Sequence, residues 1–142
     1  MAERIDPYSN FRFLVEIEGI AQAGFAECDG LTSEVEVIEY REGGDVSPAR
    51  KIPGLTKYSD ITLKRGLTSS RDLYDWHLSA IRGSVERKNG SIIVLDDAGQ
   101  EAVRWNFSDG WPSKYEGPSL NAKGNTVAIE TFTITIESLV RA

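Results

Sequence analysis

Two runs of alternating residues, Ser33–Arg41 and Tyr58–Arg65, flank a connector of sixteen residues that carries Gly43, Gly44, Pro48, Pro53 and Gly54. Side chains alternate across a strand, so a period of two commits each run to a β-strand with two unlike faces. In the first run Glu34 and Glu36 share one face and Val35 and Val37 the other. The pattern then slips: Ile38 and Tyr40 fall in phase with the glutamates, and Glu39 and Arg41 with the valines. A slip of one residue predicts a bulge, or a strand that leaves one environment for another. The second run holds its phase, with Ile61 and Leu63 against Thr62 and Lys64. The connector exceeds what a tight hairpin needs, and long connections in compact domains are usually functional or disordered. Val46, Ile52 and Leu55 give this one something to pack with, so Glu42–Thr56 reads as an ordered arm that seeks a partner.

The rest of the chain repeats the theme. After a polar leader with Asp6-Pro7, Phe11, Phe13, Val15 and Ile17 alternate with Arg12, Leu14 and Glu16, a half-buried strand closed by Gly19. A weaker strand is expected over Ile20–Glu27, then a turn at Asp29-Gly30. One helix is expected over Ser70–Arg82, capped by Ser69 or Ser70, with Asp72 near the positive end of its dipole and Gly83 ending it. Leu73, Trp76, Ala80 and Ile81 make its apolar stripe, and Leu73, Trp76 and Ile81 are the expected core anchors. Ser91–Leu95 reads as a strand buried on both faces. It turns at Asp96–Gly99 into a strand with Val103, Trp105 and Phe107 inward. Asp109–Asn125 reads as irregular, and Thr126–Val140 as a last strand that changes phase. The expected fold is a single mostly-β (α+β) domain over 1–142: two packed antiparallel sheets or a partly open barrel, with one flanking helix.

Function classes are narrowed mainly by what is missing. The net charge is −6, with 22 acidic and 16 basic residues, which argues against a dedicated nucleic-acid binder. Arg82, Arg87 and Lys88 have no interleaved aromatics and read as solvated. Cys28 stands alone, so no disulfide framework or zinc cluster is expected. No apolar run reaches membrane-spanning length and the leader has no signal-peptide core, so synthesis in the cytoplasm without membrane insertion is expected. The only histidine, His77, is not accompanied by a nucleophile-elbow motif and reads as a surface or packing residue. Asp96-Asp97 reads as a turn, and Gly43-Gly44-Asp45 lacks the Lys-Ser/Thr of a phosphate loop. No enzyme activity and no cofactor are expected.

VIEYREGGD, then KIPGLTKYSDITLKRGLT, then LYDW, resembles the tail-tube proteins of contractile phage tails and related contractile injection systems, and the likeness extends loosely from NFRFLVEI to TFTITIESL. The resemblance implies a ring of six copies stacked into a hollow tube. DNA or an effector would pass through it when an outer sheath contracts, with sheath and baseplate proteins as partners and a virion tail or injection particle as the mature location. Residues expected at contacts between subunits or rings are Glu39, Tyr40, Arg41, Gly43, Gly44, Asp45, Val46, Pro48, Pro53, Gly54 and Lys57. Candidates to face the lumen are Glu34, Glu36, Thr62 and Lys64, and Thr131, Thr133 and Thr135 pose the same question. An adaptor ring at the tube end is the alternative within the family. A monomeric β-sandwich binding module using Trp105, Trp111 and Tyr115 is the alternative outside it.

Overall fold

Alternating sequences fold into strands here almost throughout. The computed structural model describes residues 12–44, 49–124 and 126–142. In chain order these residues form β1 (Phe13–Ile17), β2 (Ile20–Ala23), β3 (Glu27–Asp29), β4 (Ser33–Tyr40), β5 (Arg50–Tyr58), β6 (Ile61–Gly66), α1 (Asp72–Ile81), β7 (Lys88–Leu95), β8 (Glu101–Glu116), β9 (Ile129–Thr135) and β10 (Ser138–Arg141). The main sheet runs β2-β1-β7-β8-β9-β6-β3, with β10 also on β8, and every pairing is antiparallel.

The long strand β8 divides this sheet into two layers. Its first half pairs with β7 and β10, and its second half, from Trp111 onward, pairs with β9. Val15, Ile17, Ile92 and Phe107 come from the first layer, and Ile61, Leu63, Phe132 and Ile134 from the second, to form one buried cluster. Burying each of these side chains contributes about 1.5–3 kcal/mol. The result is two packed antiparallel sheets joined through β8, without barrel closure among the described residues.

Helix α1 packs on this core through Leu73 and Trp76. The Trp76 ring lies 5.9 Å from that of Phe132, and its indole N–H donates to the Glu86 carbonyl at 2.6 Å, so its one polar group is satisfied. Ile81, expected in the core, is 63% exposed. The helix ends at Ile81, where Gly83 at φ +80 returns its N–H to the Ala80 carbonyl and leaves the last residue facing outward. The start also differs: Arg71 holds the N-cap position with no side-chain cap, while Ser70 donates its N–H to Thr68.

Three strand boundaries depart from expectation. Ile20–Glu27 divides into β2 and β3. The last strand starts at Ile129 and breaks after Thr135; its register with β6 is unbroken, and the change of phase arises because Val127 and Ile129 are exposed apolar residues while Phe132 and Ile134 face inward. Residues 109–116, expected to be irregular, continue β8: Asp109 at φ 50 marks a bend, and a register shift follows between Pro112 and Lys114.

Candidate functional site

The organising stretch folds into a separate two-stranded sheet, β4 with β5. Its register continues that of β3 with β6: Glu27 opposes Lys64 and Asp29 opposes Thr62, then Ser33 opposes Tyr58 and Val35 opposes Thr56. The hairpin is therefore a prolongation of the β3–β6 edge ribbon. Gly30 sits at the junction with φ +93, and a Cβ there would lie 1.9 Å from the Asp60 carbonyl oxygen, so only glycine fits. Asp29 accepts the Gly30 N–H at 3.0 Å, and the Ser59 N–H reaches the Thr32 carbonyl at 3.2 Å.

The second part of the expected arm, from Arg50 to Thr56, is thus strand, and the Tyr58–Arg65 run belongs to two strands, β5 and β6. The expected irregularity is present, but the extra residue lies on β5. Gly54 and Leu55 together oppose Glu36, between the pairs Val35–Thr56 and Val37–Pro53. At Gly54 a Cβ would meet the Ile38 Cδ1 atom at 2.9 Å, so a larger residue there would displace that side chain. Pro53 is tolerated because β5 is an edge strand.

The hairpin is wet on both faces. Every residue of β4 is exposed, including Val37 at 62% and Tyr40 at 50%, and Leu55 on β5 reaches 73%. An isolated hairpin is marginal in water, and these residues give it an exposed apolar surface. Glu34 opposes Lys57, Glu39 opposes Lys51 and Tyr40 opposes Arg50. Arg41 follows the strand, and Gly43 and Gly44 form a turn. Asp45, Val46 and Pro48 lie outside the described residues.

The outward face of the layer β3-β6-β9-β8 is polar across its middle, with Trp111 opposite Thr135 and the exposed Ile129 towards its two ends. Thr62 opposes Asp29 and Thr133, and Lys64 opposes Glu27 and Thr131. Across the next pair Thr133 opposes Lys114 and Thr131 opposes Glu116. Directly opposed residues share a face. Two charge pairs close on it, Lys64 with Glu27 at 3.6 Å and Lys114 with Glu116 at 2.8 Å, and Asp29 instead accepts the Gly30 N–H. A hydrogen bond from Lys114, then its charge, holds Glu116 below the usual carboxylate range. Thr62 and Lys64 are thus brought together here, whereas Glu34 and Glu36 lie on the hairpin. This layer also has two free edges among the described residues. β3 is bonded only to β6, and β8 beyond Gly110 is bonded only to β9.

A buried ion pair between Arg65 and Glu130, with the Tyr115 hydroxyl donating to Glu130 at 2.8 Å, had no signal in the sequence, because its partners stand 65 positions apart. Tyr115 is committed there and against Tyr74, while Trp105 lines a different groove with Phe13, Cys28 and Leu31. Trp105 and Tyr115 therefore do not form one aromatic platform. His77 Nδ1 lies 3.1 Å from the Pro112 carbonyl in a packing role, and Asp96 accepts the N–H groups of Ala98 and Gln100 to close its turn. Among the described residues no group of three His, Cys, Asp or Glu is placed to hold a metal, and no helix is long and apolar enough to cross a membrane.

Free strand edges, a protruding hairpin and a polar sheet face define a structural β domain built to join other chains. Residues 9–140 match the family model described as T4-like virus tail tube protein gp19, and the chain belongs to that tail tube family. A chain of the sheath-tube complex of the extracellular contractile injection system PVC is similar at 30% identity and a TM-score of 0.86, over 96% of this chain and 91% of that one. A chain of the anti-feeding prophage cap is 29% identical with a TM-score of 0.88, over 100% of this chain and 95% of that one. Hcp1 from Flavobacterium johnsoniae shares the fold at 17% identity and a TM-score of 0.58, over 91% of this chain and 93% of its own. A search of curated proteins returned no match. The protein is a tail tube protein, a structural part of the phage-tail and contractile-injection class of particle.

Proposed function

We propose that this chain closes into six-membered rings, which stack as the inner tube of a contractile tail or injection machine and conduct DNA or a protein effector. The observation that carries the reading is the four-stranded layer β3-β6-β9-β8 with its two free edges. Its strands alternate in direction, so β3 of one copy runs antiparallel to the second half of β8 in the next. An even number of strands preserves that alternation at every joint, and closure leaves no lateral edge exposed.

In this arrangement the polar face of the layer lines the bore. Thr62, Lys64, Thr131 and Thr133 present short hydroxyls and matched charges, which suits a wall that must not grip its cargo. Glu34 and Glu36 sit where the hairpin leaves that wall, at the mouth of the bore. The hairpin residues Glu39, Tyr40, Arg41, Gly43, Gly44, Pro53, Gly54 and Lys57 reach the adjacent ring. Asp45, Val46 and Pro48 complete the same contact in this reading. Sheath and baseplate proteins are the external partners, in keeping with the PVC sheath-tube complex and the anti-feeding prophage baseplate that contain similar chains.

Sedimentation with negative-stain imaging of the purified chain tests this: rings or tubes are expected, and a persistent monomer would favour a binding module. Similar chains in the anti-feeding prophage cap and the PVC terminator, each with a TM-score of 0.88, give a tube-end adaptor ring as the second reading. Copy number per particle separates a ring made once from a repeated tube subunit.

A further inference from the structure

Exposed apolar side chains gather at the two ends of one sheet layer. In β3-β6-β9-β8 the hairpin prolongs the end marked by Ile61, Ile134 and Pro112. The opposite end is marked by Gly66, Ile129 and Glu116, and there β8 returns to β9 through the connection 117–128. Of thirteen exposed large apolar residues among the described ones, six lie on the hairpin and four, Leu67, Leu120, Val127 and Ile129, lie at this opposite end. Leu120 and Val127, at 79% and 74%, are the most exposed of all thirteen. Their setting is ordered. The Leu67 N–H donates to the Ala128 carbonyl at 2.9 Å, one bond beyond the β6–β9 ladder, and Val127 Cγ1 would lie 3.7 Å from a Cβ on Gly66. Asn121 closes a turn directly after Leu120, accepting the Lys123 N–H on its side chain at 3.0 Å and the Gly124 N–H on its carbonyl at 3.2 Å.

We propose that the β8–β9 connection is the seat for the β4–β5 hairpin of a copy in the adjacent ring. Barrel strands run from rim to rim, tilted by about 35–45° to the axis, so the two ends of this layer lie on opposite rims of a ring. A stack that propagates repeats one heterologous joint, which sets the hairpin rim of each ring on the connection rim of the next. The eight residues of β4 span about 26 Å at ~3.3 Å per residue, long enough to reach past that rim. A second copy is the occupant because each chain carries both halves of the joint, at opposite ends of one sheet. The charges agree as well: Lys123 is the only charged residue from Gly117 to Ala128, while β4 holds three acids and no base. The inference rests on the stacked assembly proposed above and adds the surface that receives the hairpin.

The test uses two cysteines. In a Cys28→Ala background, Leu55→Cys and Leu120→Cys are introduced together, and assembled tubes are treated with a short bismaleimide. Each chain then offers one thiol at either end of the layer. Links run along the axis from ring to ring, so denaturing gels should show a ladder that continues beyond six chains. Leu55→Cys chains co-assembled with Leu120→Cys chains should stop at linked pairs, and either variant by itself should give single chains. A ladder that ends at six, as links around one ring would, or no linked product from assembled tubes, would overturn the inference. Leu120→Asp with Val127→Asp gives a second readout. Both positions are exposed, so this variant should melt cooperatively like wild type, yet form single rings and no tubes. Tubes of normal length from it would also overturn the inference. A wild type that forms neither rings nor tubes would sink the assembly reading itself, whereas wild-type tubes with a ladder ending at six would sink only the seat assigned to the hairpin.

Discussion

Arg65 on β6 and Glu130 on β9 are direct cross-strand partners whose ion-paired side chains are only 8% and 7% exposed. They point inward, in line with Ile61 and Leu63 on one strand and Phe132 and Ile134 on the other. The Phe25 ring lies 5.7 Å from the Arg65 guanidinium carbon, and the Tyr115 hydroxyl takes up the second Glu130 oxygen. Charges this deep persist only when paired. Removing one partner leaves the other uncompensated, so Glu130→Leu should cost about 3–5 kcal/mol in urea unfolding. Adding Arg65→Met should restore much of that loss. Costs that simply add would contradict this account of the pair.

The helix separates core from surface residue by residue. Trp76→Ala should cost about 3–5 kcal/mol, since it empties an aromatic core site. His77→Ala should cost about 1 kcal/mol, for one hydrogen bond to the Pro112 carbonyl. Ile81→Ala should stay within about 0.5 kcal/mol, as surface changes do. Thermal melts of the three variants check the order, and an Ile81 effect matching that of Trp76 would contradict it.

Where period-two alternation was strong, the strands were legible: Ile61 and Leu63, Val103 and Phe107, and Phe132 and Ile134 are all buried. The second half of β8 was hidden because Asp109, Gly110 and Pro112 are turn-forming residues, yet Pro112 pairs with Ile134 within the sheet. β5 was hidden in the same way by Pro53 and Gly54, whose places depend on an edge position and on the room needed by Ile38. The polar face was half legible. Thr62 and Lys64 were identifiable as outward, but their union with Lys114 and Glu116 depends on long-range register. The Arg65–Glu130 pair had no local pattern at all.

Gly30 anchors the hairpin to the body. Gly30→Ala must accommodate both φ +93 and a Cβ on the Asp60 carbonyl oxygen, and the backbone conformation alone costs about 1–3 kcal/mol. Limited proteolysis should then cut within 31–59 at rates well above those of wild type. Unchanged cleavage would show that the junction does not hold the hairpin.

Cys28 is largely desolvated, and burial, helped by the Asp29 charge, pushes its thiol from 9.0 up to about 12. Below pH 9 both folded and unfolded chains keep the proton, and the thiol's contribution is fully present. Above it the unfolded chain ionises and the folded one does not, so stability falls from about pH 9 towards about pH 12. The stability difference between wild type and Cys28→Ala should therefore shift against wild type between pH 8 and pH 10.5. A difference that does not change with pH would contradict the burial argument.

The central claim is that the polar face of β3-β6-β9-β8 is the inner wall of a closed ring. A density map of the particle assembled from the wild-type chain measures this directly. The account predicts six copies per ring, with Thr62, Lys64, Thr131 and Thr133 facing the bore and the β4–β5 hairpin touching the adjacent ring. A map that places those four side chains on the outer wall, or that joins copies without using the free edges of β3 and β8, would contradict it.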